Sequence, residues 1–173
     1  MFTSVKDAVS TLSAQAAITR SALAALPEQA WAWRPHPISR TGGELAWHVA
    51  SGFHWFLSDP LKLKVGPKPA AAPTTAPGLL EAFDAMTRDC LGALKKKDDA
   101  WIRAKADFFG TPATNGKILG FQLVHEAHHR GQLSTYIRIN GGKVPAICGG
   151  SADQEVVRPK PTSGAKKKAA RAK

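Results

Sequence analysis

Proline and glycine cut this 173-residue chain into four stretches long enough to be helices, and the material between them is too short or too stiff to build a sheet. The first stretch runs from Val5 to Leu26, with Val5, Val9, Leu12, Ala16, Leu23 and Leu26 near helical spacing. Pro27 ends it, and Pro35 and Pro37 keep the next segment extended. Trp31, Trp33 and Pro35 there read as a linker laid across the end of a bundle. A second helix is expected after Thr41, which with Glu44 three residues on fits a capping box. It continues to about Leu57, before Asp59-Pro60 stops it.

The run GPKPAAAPTTAPG, Gly66 to Gly78, is too rich in proline to be helical and predicts a crossover long enough to join non-adjacent ends of a bundle. Helix three is expected over Leu79 to Lys97, with Leu80, Phe83, Met86, Cys90, Leu91 and Leu94 inward. Its basic end, Lys95-Lys96-Lys97, complements the negative pole of the helix dipole. Ala104 to Gly110 reads as a short extended segment. Helix four should start near Asn115 and close at Asn140-Gly141-Gly142. Four amphipathic helices with a long crossover define an all-α, four-helix bundle. The length and the 43% hydrophobic content suit one domain with one sizeable core.

Charge distribution and targeting signals narrow the function classes. Of the formal +11, seven positive charges lie in RPKPTSGAKKKAARAK, Arg158 to Lys173, which holds no acid. The basicity therefore belongs to a tail: residues 1–151 form the expected bundle and 152–173 an expected disordered basic tail. Such a tail can contact nucleic acid weakly and without sequence preference. No apolar run approaches the roughly 20 residues of a membrane span. Met1 to Asp7 has neither a basic nor an apolar leader region, so no signal peptide is expected. Cys90 and Cys148 make no disulfide framework and no Cys-x-x-Cys, which points to a reducing cytoplasm.

Chemistry concentrates in His125-Glu126-Ala127-His128-His129-Arg130-Gly131-Gln132 of helix four. His125 and His129 stand about 40° apart around the helix and one turn along, so both imidazoles can reach one metal ion at about 2.0–2.1 Å. His128 lies about 60° to the other side and reads as a residue of the rim. His48, flanked by Leu45, Val49 and Phe53 on helix two, is a polar group at a core-facing position: alone it reads as a hydrogen-bonded core residue, and beside a His pair on another helix of the bundle as the third ligand. His54 falls on roughly the opposite face, and His36 sits in the proline-rich linker. Three imidazoles without thiolates favour one divalent transition metal (zinc, nickel or iron) and leave a coordination position open, as in catalytic sites. HEAHH also fits the metalloprotease pattern His-Glu-x-x-His, with Glu126 as base. No third ligand follows at the required spacing, so the protease reading is weaker, and Glu126 is kept only as the candidate base beside a bound water.

GGELAWHVASGFHWFL and HEAHHRGQLSTYIRINGGKVPAICGGS, with LPEQAWAWRPHPISRTGGELAWH upstream, resemble the DinB-like family of metal-binding four-helix bundles, over Phe2 to Ser151. The resemblance implies His48, His125 and His129 as metal ligands, an up-down-down-up bundle and frequent homodimers. An apolar face beside Trp31 and Trp33 would suit such a dimer. It implies either a metal-dependent hydrolase or a thiol S-transferase or isomerase using a low-molecular-weight thiol, acting on a small-molecule substrate. It does not decide between such an enzyme and a non-catalytic, metal-stabilised stress-response scaffold whose tail contacts nucleic acid. Arg130 and Gln132 match the family motif as well. Arg130 is expected to pair with an acid between helices and Gln132 to bond within the core.

Overall fold

The computed structural model describes residues 1–154, which form four long helices, one short helix and a two-stranded hairpin. α1 (Val5–Ala24) is capped by Ser4, whose side chain accepts from the Asp7 amide. α2 (Gly42–Ser58) begins with the full capping box: Thr41 accepts from the Glu44 amide, and Glu44 accepts from the Thr41 amide at 2.7 Å. α3 (Ala76–Lys95) starts three residues earlier than hydrophobic periodicity places it, because Thr75 caps it and Pro77 fits its first turn, where no amide is needed. α4 (Asp99–Arg103) and the hairpin of β1 (Lys105–Phe108) and β2 (Thr111–Thr114) precede α5 (Asn115–Ile139).

The hairpin corrects one expectation. Ala104 to Gly110 is extended, but it pairs antiparallel with Thr111–Thr114, in register from Lys105 opposite Thr114 to Phe108 opposite Thr111. Strands of four residues are too short to announce themselves by alternation, and Pro112 obscures the second. The sheet caps one end of the bundle and adds no layer. The architecture remains an all-α bundle.

Helix directions follow from what each end touches. The Phe2 amide donates to the Gly116 carbonyl, and Gly142 abuts Pro27 and the Ala25 carbonyl, so α1 and α5 run parallel. The Tyr136 hydroxyl donates to the Arg40 carbonyl while Gly52 meets His125, so α2 runs against α5. Arg20 near the end of α1 pairs with Asp84 near the start of α3 at 2.8 Å, which makes α3 antiparallel to α1. The result is up-down-down-up. α1 and α2 lie on a diagonal, and α3 and α5 fill the other two corners. Because α2 and α3 both run down, residues 59–75 must return the full length of the bundle, and this is the long crossover.

Trp31 and Trp33 are half-buried rather than presented to solvent. Trp33 packs edge-on against Tyr136 with ring centroids 5.3 Å apart, and the carbonyls of both tryptophan residues accept from the amides of Gly43 and Gly42. A Cβ on Gly42 would lie 2.2 Å from the Ala30 carbonyl oxygen, so only glycine lets the linker close onto α2. The described fold reaches beyond Ser151: Asp153 pairs with Arg138 at 2.7 Å and accepts from the Val144 amide. The basic run from Arg158, with its nucleic-acid reading, lies outside the described residues.

The apolar core has two halves. Leu23, Leu45, Val49, Phe83, Leu133 and Ile137 fill one, and Leu12, Phe53, Phe56, Leu94, Ile118 and Leu119 the other. Between them runs a buried polar layer joining α5 to α1. Glu126 accepts from the Gln122 amide group at 2.7 Å and from the Thr19 hydroxyl. Arg130 stands 3.8 Å from Glu126 and donates to the Thr19 hydroxyl at 3.0 Å and to the Gln15 carbonyl at 3.1 Å. Arg130 thus has its acid on its own helix, one turn back, and its two terminal nitrogens donate across the interface to Gln15 and Thr19, while its buried Nε has no partner among the described residues. Removing one partner of so buried a pair leaves an uncompensated charge. Arg130→Ala is therefore expected to cost about 3–5 kcal/mol, and Glu126→Ala with Arg130→Ala clearly less than the two single changes together, as chemical denaturation of the four proteins would measure.

Candidate metal centre

His48 enters the site from the middle of α2 and His125 and His129 from the middle of α5, at the level where the two apolar halves meet. The capping box fixes where α2 starts, and one and a half turns later His48 faces α5. The polar layer fixes the rotation of α5. With Glu126 and Arg130 committed to α1, the adjoining His125 and His129 are turned to α2.

The three residues each offer one ring nitrogen, and these nitrogens lie within 4.8 Å of one another. His48 Nε2 and His129 Nε2 stand 3.0 Å apart. Two nitrogens bound to one ion at about 2.0–2.1 Å are themselves about 3 Å apart, so this spacing fits shared coordination with little movement. Ring centroids are separated by 4.4 Å for His125 and His129, 4.5 Å for His48 and His129, and 5.1 Å for His48 and His125. His129 Nδ1 donates to Gln132 Oε1 at 2.7 Å, which leaves the lone pair on Nε2, the nitrogen facing His48. Gln132 is exposed and orients a histidine; it does not bond within the core as expected.

Electrostatics keeps the rings neutral. Burial lowers the pKa of His48 to about 4, helped by the neighbouring His129 and by the Arg40 guanidinium. Burial lowers His125 to about 4 as well, with His129 and His128 adding to it. His129 is lowered chiefly by burial, and its bond to Gln132 opposes the shift. Neutral imidazole is the form that donates a lone pair to a metal ion. The donor set therefore fits one borderline transition-metal ion.

The other candidates separate clearly. His128 is exposed at the rim, its ring 4.8 Å from that of His129. His54 is buried and donates from Nε2 to the Gly66 carbonyl at 2.8 Å, clamping the crossover to α2. His36 stays in the exposed linker, where its Nδ1 accepts from the Ile38 amide. Glu126 does not join the imidazoles: about 100° of helix rotation turns it onto Thr19 and Gln122.

Two cavities flank the centre. One of about 910 Å³ is polar and carries Arg34, Arg40 and Gln132. The other, about 450 Å³, reaches His48 and His125 and is walled by Trp55, Phe56, Phe109 and Phe121. Sequence periodicity missed these lining residues, because Trp55, Phe56 and Phe121 lie on two helices whose facing was unknown, and the linker and hairpin positions have no helical spacing. The only local signal was Phe108-Phe109-Gly110, two aromatics entering a glycine turn.

Protons compete for these rings. Their folded-state pKa of about 4 lies below the ordinary 6.5, so the unfolded chain binds more protons between those values. The stability this contributes is complete above pH 6.5 and is lost as pH falls toward 4. The melting temperature of the metal-free protein should fall across that window, and His48→Ala should flatten the fall.

Residues 1–157 match the DinB family. The uncharacterized protein YrdA of Bacillus subtilis (strain 168) is 28% identical over 116 residues, which is 66% of this chain and 70% of that protein. A crystal structure of a DinB-like protein from Bacillus cereus ATCC 10987 superimposes with a TM-score of 0.76 at 26% identity, covering 84% of this chain and 98% of that one. A DinB-like protein of Bacillus subtilis shares the fold at a TM-score of 0.63 and 19% identity, over 82% of this chain and 97% of its own. This chain belongs to the DinB family.

Proposed function

We propose that the protein is a metal-dependent enzyme in which His48, His125 and His129 hold one zinc, nickel or iron ion, and a thiol or water activated there attacks a small electrophilic substrate. The observation that carries this reading is the convergence of three neutral imidazoles, with no carboxylate or thiolate among them, beside open cavities. Such an ion supplies a nucleophile by lowering the pKa of a coordinated thiol or water. The chain's own residues do the rest. Burial keeps the rings deprotonated, Gln132 aims the His129 lone pair, and the apolar walls around Trp55 and Phe56 limit bulk water. Arg34, Arg40 and Glu44 line the larger cavity, with Arg34 and Glu44 paired at 3.7 Å, so Arg40 supplies its net positive charge, which suits a carboxylate of a low-molecular-weight thiol.

Two further expectations belong to this reading. A homodimer is expected under this reading, and sedimentation would report its mass; Val124 and Ile139 are exposed apolar side chains on α5 that such an interface could cover. The free thiols Cys90 and Cys148 suit a reducing cytoplasm, and among the described residues no helix is long and apolar enough to cross a membrane.

Metal analysis of the untagged protein tests the proposal. Stoichiometric zinc, nickel or iron is expected in the wild type and should be lost in His48→Ala and His129→Ala. Gln132→Ala should retain the site but weaken metal affinity about 10–100-fold. A wild-type protein that stays metal-free after reconstitution, or that conjugates no thiol and cleaves no ester or amide when loaded, would refute the enzyme reading.

A further inference from the structure

The hairpin tip carries a conformational anomaly beside the metal centre. Phe109 and Gly110 form a two-residue turn with φ of 54° and 77°, the left-handed pair of a type I′ turn. Glycine at the second position is expected. A phenylalanine at the first is not, since a bulky side chain in that region crowds its own backbone and asparagine or aspartate would sit there more easily. Phe109 is also 76% exposed, so core packing does not account for it. A residue kept both strained and exposed draws attention to what it faces.

What it faces is the 450 Å³ cavity that reaches His48 and His125. Phe109 lies near-parallel to Trp55, with centroids 6.1 Å apart and planes 29° from each other. Trp55 is half in solvent and meets Phe56 edge-on at 4.8 Å. Phe121 closes the opposite side, 6.1 Å from Phe56. The volume suits a small ligand, and among the described residues Lys68 of the crossover is the one charged side chain lining this cavity, the histidines being neutral. Flat π-faces select flat, polarisable ligands, and a lone ammonium at the edge selects a negative charge.

We propose that this cavity is a binding subsite for a planar aromatic anion, with Trp55 and Phe109 supplying the stacking surface and Lys68 pairing the acid group. This names the class of the electrophilic substrate under the enzyme reading, and it rests on that reading only for the chemistry that follows binding. The aromatic body lies against the hairpin and its reactive atom faces the imidazoles. The strain at Phe109 is then the conformational cost of holding an aromatic ring over the pocket mouth.

Calorimetric titration of the full-length protein, metal-loaded and metal-free, with 2-naphthoate, 2-naphthylmethanol and cyclohexanecarboxylate tests this. 2-Naphthoate should bind in both states and more tightly than either analogue. Phe109→Asn should weaken it about tenfold while leaving the melting temperature unchanged or raised, because asparagine relieves the turn. Lys68→Met should abolish the preference for naphthoate over the neutral alcohol. Equal binding of naphthoate and cyclohexanecarboxylate would overturn the proposal. So would binding that survives Phe109→Asn and Trp55→Ala, or naphthoate binding that disappears on metal removal. A protein that binds naphthoate but no metal would refute the enzyme reading alone, and one that binds metal but no naphthoate would refute this subsite alone.

Discussion

The contact on which the site depends is the buried polar layer between α1 and α5. A helix of 25 residues in a bundle can rotate about its axis unless something specific resists it, because leucine and isoleucine side chains fill space without choosing a direction. Glu126 and Arg130 choose one. Both are buried, and their partners Gln15 and Thr19 exist only on α1. Any rotation of α5 that turned His125 away from α2 would pull the arginine from its acceptors and strand two charges in the core. The HEAHHR segment therefore works in two directions: its acid and arginine anchor the helix to one neighbour, and its first and last histidines face the next.

That division explains what was legible in the sequence. The four helices, the crossover and the three converging histidines follow from periodicity, capping and the i, i+4 geometry of His125 and His129, which are local properties. The hairpin was not legible as a sheet, since four-residue strands carry too little alternation. The roles of Glu126 and Gln132 were not legible either. A heptad position says which way a side chain points but not which neighbouring helix fills that direction, and this requires knowing that α5 touches both α1 and α2. With that contact known, Glu126 becomes a structural anchor and Gln132 the partner that holds the His129 ring through Nδ1. The cavity walls were hidden for a simpler reason: they come from three separate segments, and no pattern within one segment marks them.

Metal sites in helix bundles face a conflict between desolvation and access. Burial is what lowers the histidine pKa values and keeps the lone pairs available, yet a fully enclosed centre admits no substrate. Here the conflict is resolved by placing the histidines at mid-height on one face. The two apolar halves close above and below them, and the outward side is left to cavities of opposite character. The aromatic cavity reaches His48 and His125 directly, whereas the polar one meets the centre only through Gln132, the partner of His129.

The crossover contributes to that arrangement more than its composition suggests. A proline-rich return of this length has no internal hydrogen-bond ladder to hold its path, so its position must be set by contacts with the helices it spans. His54 provides one, donating from α2 to the Gly66 carbonyl. Gly66 itself lies so close to α3 that a Cβ would meet the Asp89 carboxylate at 2.0 Å and force that side chain to move. The chain is thereby held between α2 and α3 two residues before Lys68, the residue that reaches the aromatic cavity. His54, outside the histidine cluster, thus sets the place of Lys68, the ammonium that among the described residues lines the aromatic cavity. Lengthening or loosening the crossover near Gly66 would change the charge offered to a ligand without touching any of the three histidines.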